Sequence, residues 1–310
     1  MTWTLDDIPD LRGKAVVVTG STSGIGIPTL QELVRKGATG VMAVRNVTKG
    51  ERVRDEMGDK ELQARIKIME IDTSSMASVK KFAENFKAEY KRLDLLINNA
   101  GVAFTSERVR TEDGLERVMA TNHFGHFALT GLLLDVMKAT PGSRVVVVSS
   151  LSHRQTKGIN YDSAFMKDSA PPHRAMESYG ESKLANVLFV DQLTKRLKSA
   201  NIDTPLPLLA HPGLSDTPMA RNPPSGSVTS WIFKQIVAIF AQSAERGAMP
   251  TLMAATDPLA KAGDMYGPGG VELRGPPKRG AKIAPAGKDD AAGKVLWEMS
   301  EKATGVKYLS

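Results

Sequence analysis

Lys14-Ala-Val-Val-Val-Thr-Gly-Ser-Thr-Ser-Gly-Ile-Gly26 is the stretch on which the reading of this chain turns. A short Val-rich run is the mark of a strand buried on both faces. Gly20, Gly24 and Gly26 follow it, and glycine lets a backbone turn sharply and approach a ligand closely. A helix-period segment, 24–36, opens on the last of them, so free N–H groups and a positive dipole end face whatever the loop encloses. Strand, glycine loop and helix in that order suit a diphosphate; a tight turn with no ligand is the other reading.

Outward from this loop, brief apolar runs alternate with charged, helix-length segments. Residues 14–19, 40–44, 66–71, 93–97 and 144–149 read as strands, and 48–57, 75–90 and 111–138 as further helices. Such alternation builds βαβ units with right-handed crossovers, hence an α/β, doubly wound, mostly parallel sheet with helices on both faces. Beyond Ser150 the pattern loosens. Residues 152–175, with Gly158, Pro171 and Pro172, read as a long loop or insertion, either rimming a substrate entrance or standing in solvent. Helical spacing returns at 178–198, a strand follows at 205–210, and Asn222-Pro-Pro-Ser-Gly226 breaks the chain before an amphipathic segment at 228–242. Residues 263–287 are dense in Gly and Pro and read as a surface excursion rather than another core layer. With no internal repeat and no clean linker, residues 1–310 are expected to form one domain with a C-terminal extension at 263–310.

Composition narrows the function. The 41 Lys+Arg against 34 Asp+Glu leave a net charge of +7, spread along the chain and short of a nucleic-acid-binding footprint. There are no cysteines, which excludes disulfides, a thiol nucleophile and thiolate metal sites. No apolar run reaches the ~18 residues of a membrane span. The opening Met1-Thr-Trp-Thr-Leu-Asp-Asp7 is acidic where a secretory signal is basic, so the expectation is cytoplasmic, with peripheral membrane contact left open.

The ordered set of the glycine loop, Asp72, Asn98-Asn-Ala-Gly101, Asn122, Ser150 and Tyr179-Gly-Glu-Ser-Lys183 resembles the short-chain dehydrogenase/reductase family. Asn122-His-Phe-Gly-His-Phe127, Ser182-Lys-Leu-Ala-Asn-Val-Leu-Phe189 and His211-Pro-Gly213 are similar to its retinol dehydrogenase-like members. The resemblance implies a Rossmann-type sheet of seven strands and a nicotinamide dinucleotide. It implies that Gly20, Ser21, Thr22, Ser23, Gly24, Ile25 and Gly26 hold the diphosphate, with Asp72 at the adenine beside Thr73. Asn99, Ala100 and Gly101 would line the adenosine ribose, Pro212, Gly213 and Leu214 would pass beside the nicotinamide, and Thr217 would bond its carboxamide. Asp72 also suits a cap for the helix that follows.

The second strand ends Ala43-Val-Arg45-Asn46. An acidic residue there would bond the ribose hydroxyls, whereas a guanidinium pairs with a 2′-phosphate. NADP(H) is therefore expected over NAD(H), with an ordinary surface arginine as the alternative.

Tyr179 and Lys183 lie one helical turn apart on one face. A phenol titrates near ~10, and a neighbouring ammonium would lower that, so the pair suits proton exchange with an alcohol or carbonyl oxygen. The resemblance adds that Lys183 also holds the nicotinamide ribose, that Ser150 orients the substrate oxygen (Ser149 and Ser152 being near alternatives) and that Asn122 completes a proton relay. His123 and His126 have no carboxylate or thiolate partner at ligand spacing and read as helix packing, so no metal is expected.

Residues 214–247 would form a substrate lid, and Trp231, Phe233 and Phe240 in it suit a bulky apolar carbonyl or alcohol, such as a retinoid, steroid or lipid-derived compound. Competing readings are an epimerase or dehydratase of the same family and a non-catalytic dinucleotide sensor. The family's long helices, here 111–138 and 178–198, would be the contacts of a homo-oligomer.

Overall fold

The computed structural model describes residues 2–214, 242–270 and 272–309. In chain order these give β1 (Ala15–Thr19), α1 (Gly26–Arg35), β2 (Thr39–Val44), α2 (Val47–Asp55), α3 (Lys60–Ala64), β3 (Ile66–Glu70), α4 (Met76–Glu89), β4 (Leu95–Asn98), α5 (Arg117–Met119) and α6 (Gly125–Lys138). Then come β5 (Arg144–Val148), α7 (Tyr161–Ala164), α8 (Ala175–Ser199), β6 (Leu206–Ala210), α9 (Ala244–Thr256), β7 (Met265–Pro268), β8 (Pro277–Arg279) and α10 (Asp290–Thr304).

The strands form one eight-stranded sheet in the order β3-β2-β1-β4-β5-β6-β7-β8, parallel except for β8. The strand order reverses between β1 and β4, and in such sheets the crevice at the carboxyl ends of the strands receives ligands. Side chains alternate across the sheet. Val17, Val145 and Val147 join a core with α4, α6 and α8, while Val16, Val18, Val146 and Val148 join a second core with α1 and α9.

Local chemistry sets the helix starts. Asn46 accepts from Lys49 N–H at 2.8 Å and Ser75 from Ser78 N–H at 3.4 Å. The helix expected from residue 111 begins only at Arg117, because the Glu116 carboxylate caps the Val118 and Met119 N–H groups. It is then interrupted by a π-turn, Ala120–Phe124, in which Gly125 N–H reaches back to Ala120 O. Asp72 does not cap α4; Ser75 does, and Asp72 closes a local turn onto Ser74.

Two further corrections concern the C-terminal part. Eight strands form rather than seven, and 263–287 is not merely a surface excursion. It supplies β7, whose Tyr266 is fully buried, and β8, which folds back along it. Gly and Pro mark the turns around these strands and mask them. The chain end also packs inward. Trp297 of α10 and Tyr308 meet Phe127 of α6 at ring separations of 5.1 and 4.8 Å, and Phe189 of α8 joins them. The chain's own C-terminal residues thus cover part of the two helices expected to carry oligomer contacts. Thr217, the 228–242 apolar segment up to residue 241 and most of the expected lid lie outside the described residues. No described helix is long and apolar enough to cross a membrane.

Candidate active site

The glycine loop leaves β1 and doubles back under itself. Gly20 has φ +67°, and a Cβ there would lie 2.7 Å from Ala100 Cα. A Cβ on Gly26 would lie 2.5 Å from Gly20 O and 2.7 Å from Asn99 Nδ2. The loop is therefore clamped onto the Asn99–Gly101 turn: Asn99 Nδ2 donates to Thr19 O at 2.8 Å. Ser21 turns its hydroxyl inward to Val18 O at 3.0 Å, so its main chain rather than its side chain faces the crevice; Thr22 and Ser23 are more open. No side chain caps the first turn of α1 at Ile25, which leaves its N–H groups to an anion. Arg45 stands exposed at the end of β2 and pairs with no described acidic residue. Asp72 and Thr73 follow β3, and Pro212, Gly213 and Leu214 follow β6. All these positions share one edge of the sheet.

Ser150 follows β5 on the same edge. Of the three serines there, Ser149 is committed to Lys183 O at 2.9 Å, and Ser152 Oγ lies 3.3 Å from Ser150 Oγ. Ser150 is the one that acts on the Tyr179 phenol, pulling its titration down. Lys183 Nζ donates to Val148 O at 3.0 Å and lies 5.7 Å from the Tyr179 ring centre. A Cβ on Gly101 would be 3.2 Å from Asn122 Oδ1 and 3.7 Å from Lys183 Nζ, so asparagine and lysine converge there. Asn122 is locked at both ends of its amide: Oδ1 accepts from Val102 N–H at 2.8 Å, and Nδ2 donates to Val102 O and Ser182 Oγ, both at 2.9 Å.

Burial sets the charges. It pushes the Tyr179 phenol up to about 12 against the opposing pull of the Ser150 hydroxyl, and the Lys183 ammonium down to about 8. The expected lowering of the phenol by its lysine is therefore absent in the protein alone. The ammonium is held by Val148 O, and the low-dielectric surroundings disfavour both charged forms.

Several partners carry no motif. His126 Nδ1 lies 3.1 Å from Asn122 O, an acceptor, so the proton sits on Nδ1. Its Nε2 then accepts from Thr19 Oγ1 at 2.9 Å, and that hydroxyl accepts from Asn99 and Ala100 N–H, both at 2.9 Å. His126 thus joins the π-turn to the glycine loop's neighbour. Burial depresses it to about 4, keeping it neutral. His123 packs as expected, against Ser300 Oγ at 2.8 Å. Phe104 meets Tyr179 with ring centres 5.3 Å apart; nothing in its local sequence marks it.

Comparison with known proteins gives the family. The family model described as short chain dehydrogenase matches residues 14–164. Retinol dehydrogenase 14 of Mus musculus is 32% identical over 308 residues, covering 96% of this chain and 87% of the relative. The chain belongs to the short-chain dehydrogenase/reductase family. An uncharacterized protein from Mycobacterium Paratuberculosis is 33% identical, with a TM-score of 0.78 and full coverage of both chains. A short chain dehydrogenase from Shigella flexneri, solved with NADP, shares the fold at 22% identity and TM-score 0.58, covering 83% of this chain and 97% of its own.

As a short-chain dehydrogenase/reductase, the protein is an oxidoreductase that interconverts alcohol and carbonyl groups with NAD(P). Its residues suit that cofactor: a glycine loop with no room for a Cβ, an uncapped helix start for the diphosphate, and a buried tyrosine–lysine pair further along the same edge.

Proposed function

We propose that this short-chain dehydrogenase/reductase uses NADP(H) in preference to NAD(H) and acts on a bulky apolar carbonyl or alcohol, with Asn122, Ser150, Tyr179 and Lys183 as its catalytic residues. The observation that carries the catalytic assignment is Lys183 Nζ 5.7 Å from the Tyr179 ring centre, with Ser150 acting on the same phenol and Asn122 meeting the lysine at Gly101. The dinucleotide, when bound, supplies or receives the hydride. A phenol titrating at about 12 stays protonated at neutral pH, so Tyr179 donates its proton to a carbonyl oxygen that Ser150 aligns. The Lys183 ammonium, present below about pH 8, stabilises the phenolate left behind and holds the nicotinamide ribose. Asn122, immobilised by Val102 and Ser182, keeps the lysine end of the relay in register.

Arg45 supports the NADP reading: it is an exposed guanidinium with no described acidic partner at the end of β2, a position from which a 2′-phosphate could be paired. Gly20–Gly26, Asp72, Thr73, Asn99–Gly101 and Pro212–Leu214 form the remainder of the proposed cofactor site. Phe104 against Tyr179 and the retinol dehydrogenase relative support an apolar substrate. The test measures NADPH and NADH oxidation by the full chain against retinaldehyde, nonanal and benzaldehyde. Tyr179→Phe should remove turnover by about a thousandfold or more while NADPH still binds; near-normal turnover in that variant overturns the assignment.

A further inference from the structure

The Gly/Pro-rich segment after β7 is stitched to the Ser150 turn by two side chains. His153, fully buried, places Nδ1 2.6 Å from Ser150 O and Nε2 3.3 Å from Ala284 N–H. The carbonyl can only accept and the amide only donate, so the imidazole is neutral with its proton on Nδ1. Beside it, the Arg154 guanidinium donates to the Glu272 carboxylate and to Lys282 O. Glu272 also accepts from Lys282 N–H at 3.2 Å. Only 6% exposed, it stands at φ +63°, a conformation unfavourable for a side chain that these contacts hold in place.

The same carboxylate faces the turn after β6. His211 is fully buried; its Nδ1 accepts from Gly213 N–H at 3.2 Å, so the proton lies on Nε2. That Nε2 has no hydrogen-bond partner among the described residues and lies 3.8 Å from Glu272 Oε2. Main chain next to Glu272 completes the junction. Leu214 N–H donates to Leu273 O at 2.8 Å, and a Cβ on Gly213 would lie 2.3 Å from Leu273 O, so only glycine lets the two strands of chain meet. Leu214 O accepts from Gln242 N–H at 2.9 Å, and Gln242 Oε1 from Gly275 N–H at 3.4 Å.

We propose that Glu272 is a positioning residue for hydride transfer: it holds the Ser150 turn through Arg154 while the adjoining Leu273 holds Leu214 through main chain, so that the substrate oxygen and the nicotinamide side of the cleft keep one geometry. This rests on the reading of Ser150 as the hydroxyl that aligns the substrate. The carboxylate touches no reacting atom. Its effect is exerted through two turns that leave neighbouring strands, β5 and β6, just beyond the point where Ser149 N–H donates to Ala210 O at 2.8 Å.

The test compares Arg154→Met, Glu272→Gln, the double variant and Arg154→Lys, in the full chain at a temperature where each is folded by circular dichroism. Single-turnover oxidation of NADPH by benzaldehyde reports the hydride step, and nicotinamide fluorescence reports NADPH binding. Each of the first two variants should slow the hydride step about tenfold or more, with NADPH affinity within about threefold of the parent. The double variant should be no slower than the slower single, since both remove one contact, and Arg154→Lys should recover most of the rate. A hydride step within about twofold of the parent in Arg154→Met, whatever its melting temperature, overturns the proposal, as do losses that multiply in the double variant. If Glu272→Gln does not fold, Arg154→Met decides alone, since the Arg154 side chain is 30% exposed. Ser150→Ala separates the two levels: full activity in that variant overturns the reading of the site itself, whereas a slow Ser150→Ala beside a normal Arg154→Met overturns only the role of Glu272.

Discussion

On the proposed cofactor side of the sheet edge, main chain lies against main chain. Gly20 sits on Ala100, and Gly26 sits under Gly20 O, with Asn99 as the clasp. On the substrate side the spacing is kept by side chains that reach across the sequence: Arg154 to Glu272, separated by 118 residues, and His153 to Ala284, separated by 131. The first arrangement leaves no room for a side chain and so demands a residue type at a fixed spacing. The second demands only that two partners of the right charge arrive from elsewhere, and it leaves no local pattern. The contrast predicts that the cofactor side fails abruptly when a single methyl is added, and that the substrate side can be tuned.

The sharpest way to break the comparison is Gly26→Ala. The added carbon would meet Gly20 O at 2.5 Å, and the main chain cannot withdraw without spoiling the loop. NADPH affinity should fall about a hundredfold or more. Isothermal titration of the folded variant reads this, and affinity within a few-fold of the parent would show that the loop is not backbone-limited. Arg45→Asp comes next, because it alters a side chain within the backbone-built half. It should lower NADPH affinity about tenfold to a hundredfold and improve NADH binding, through loss of the phosphate pairing and gain of a ribose hydroxyl acceptor. Unchanged NADPH affinity would remove Arg45 from the site.

That division also accounts for what could be read without coordinates. The strands from β1 to β6, the glycine loop and the tyrosine–lysine pair were legible because each rests on periodicity or on sterics within a few residues. The resemblance supplied the order of Asp72, Asn99, Asn122 and Ser150, and the fold carries all of them to one edge. What was not legible depends on distant partners. The π-turn at Asn122 breaks a segment whose periodicity looks continuously helical. β7 and β8 are short and framed by Gly and Pro, and a strand of four residues whose pairing with β6 joins Leu209 to Met265 across the sequence has no period to display. His153, Arg154 and Glu272 were visible only as members of two loops. The tautomer of His126 emerges only from the pairing of its two nitrogens with Asn122 and Thr19.

The substrate side offers a smaller test of tunability. Glu181, within the Tyr179–Lys183 turn, is 8% exposed and accepts from Asn160 N–H at 3.2 Å, tying α8 to the 152–175 insertion. Burial pushes its carboxyl up to about 7, and Glu177 and Glu116 add to this against the pull of the Asn160 bond. A raised folded value means that the native state binds more protons than the unfolded chain between about 4.5 and 7, so stability is lost as pH rises through that window. Glu181→Gln keeps the acceptor and removes the charge. Urea unfolding at pH 8 should find it more stable by roughly 1–2 kcal/mol, the gain vanishing near pH 5; a variant less stable at pH 8 would show that the carboxylate is better compensated than its surroundings indicate.

Lys183 sits where the two sides meet, and its test is the finest. Burial lowers its ammonium to about 8, so the charge is about nine-tenths present at pH 7 and mostly gone at pH 9. If that charge holds the nicotinamide ribose, NADPH affinity should weaken about threefold between those limits, while Val148 O keeps the amine in position. A 2′-phosphate is already about nine-tenths doubly ionised at pH 7, so it adds little slope, and that of opposite sign. Lys183→Met should bind more weakly at pH 7 and show no such slope. A parent enzyme whose affinity is flat from pH 7 to 9 would move the ribose contact away from the ammonium, and the lysine would then act on Tyr179 alone.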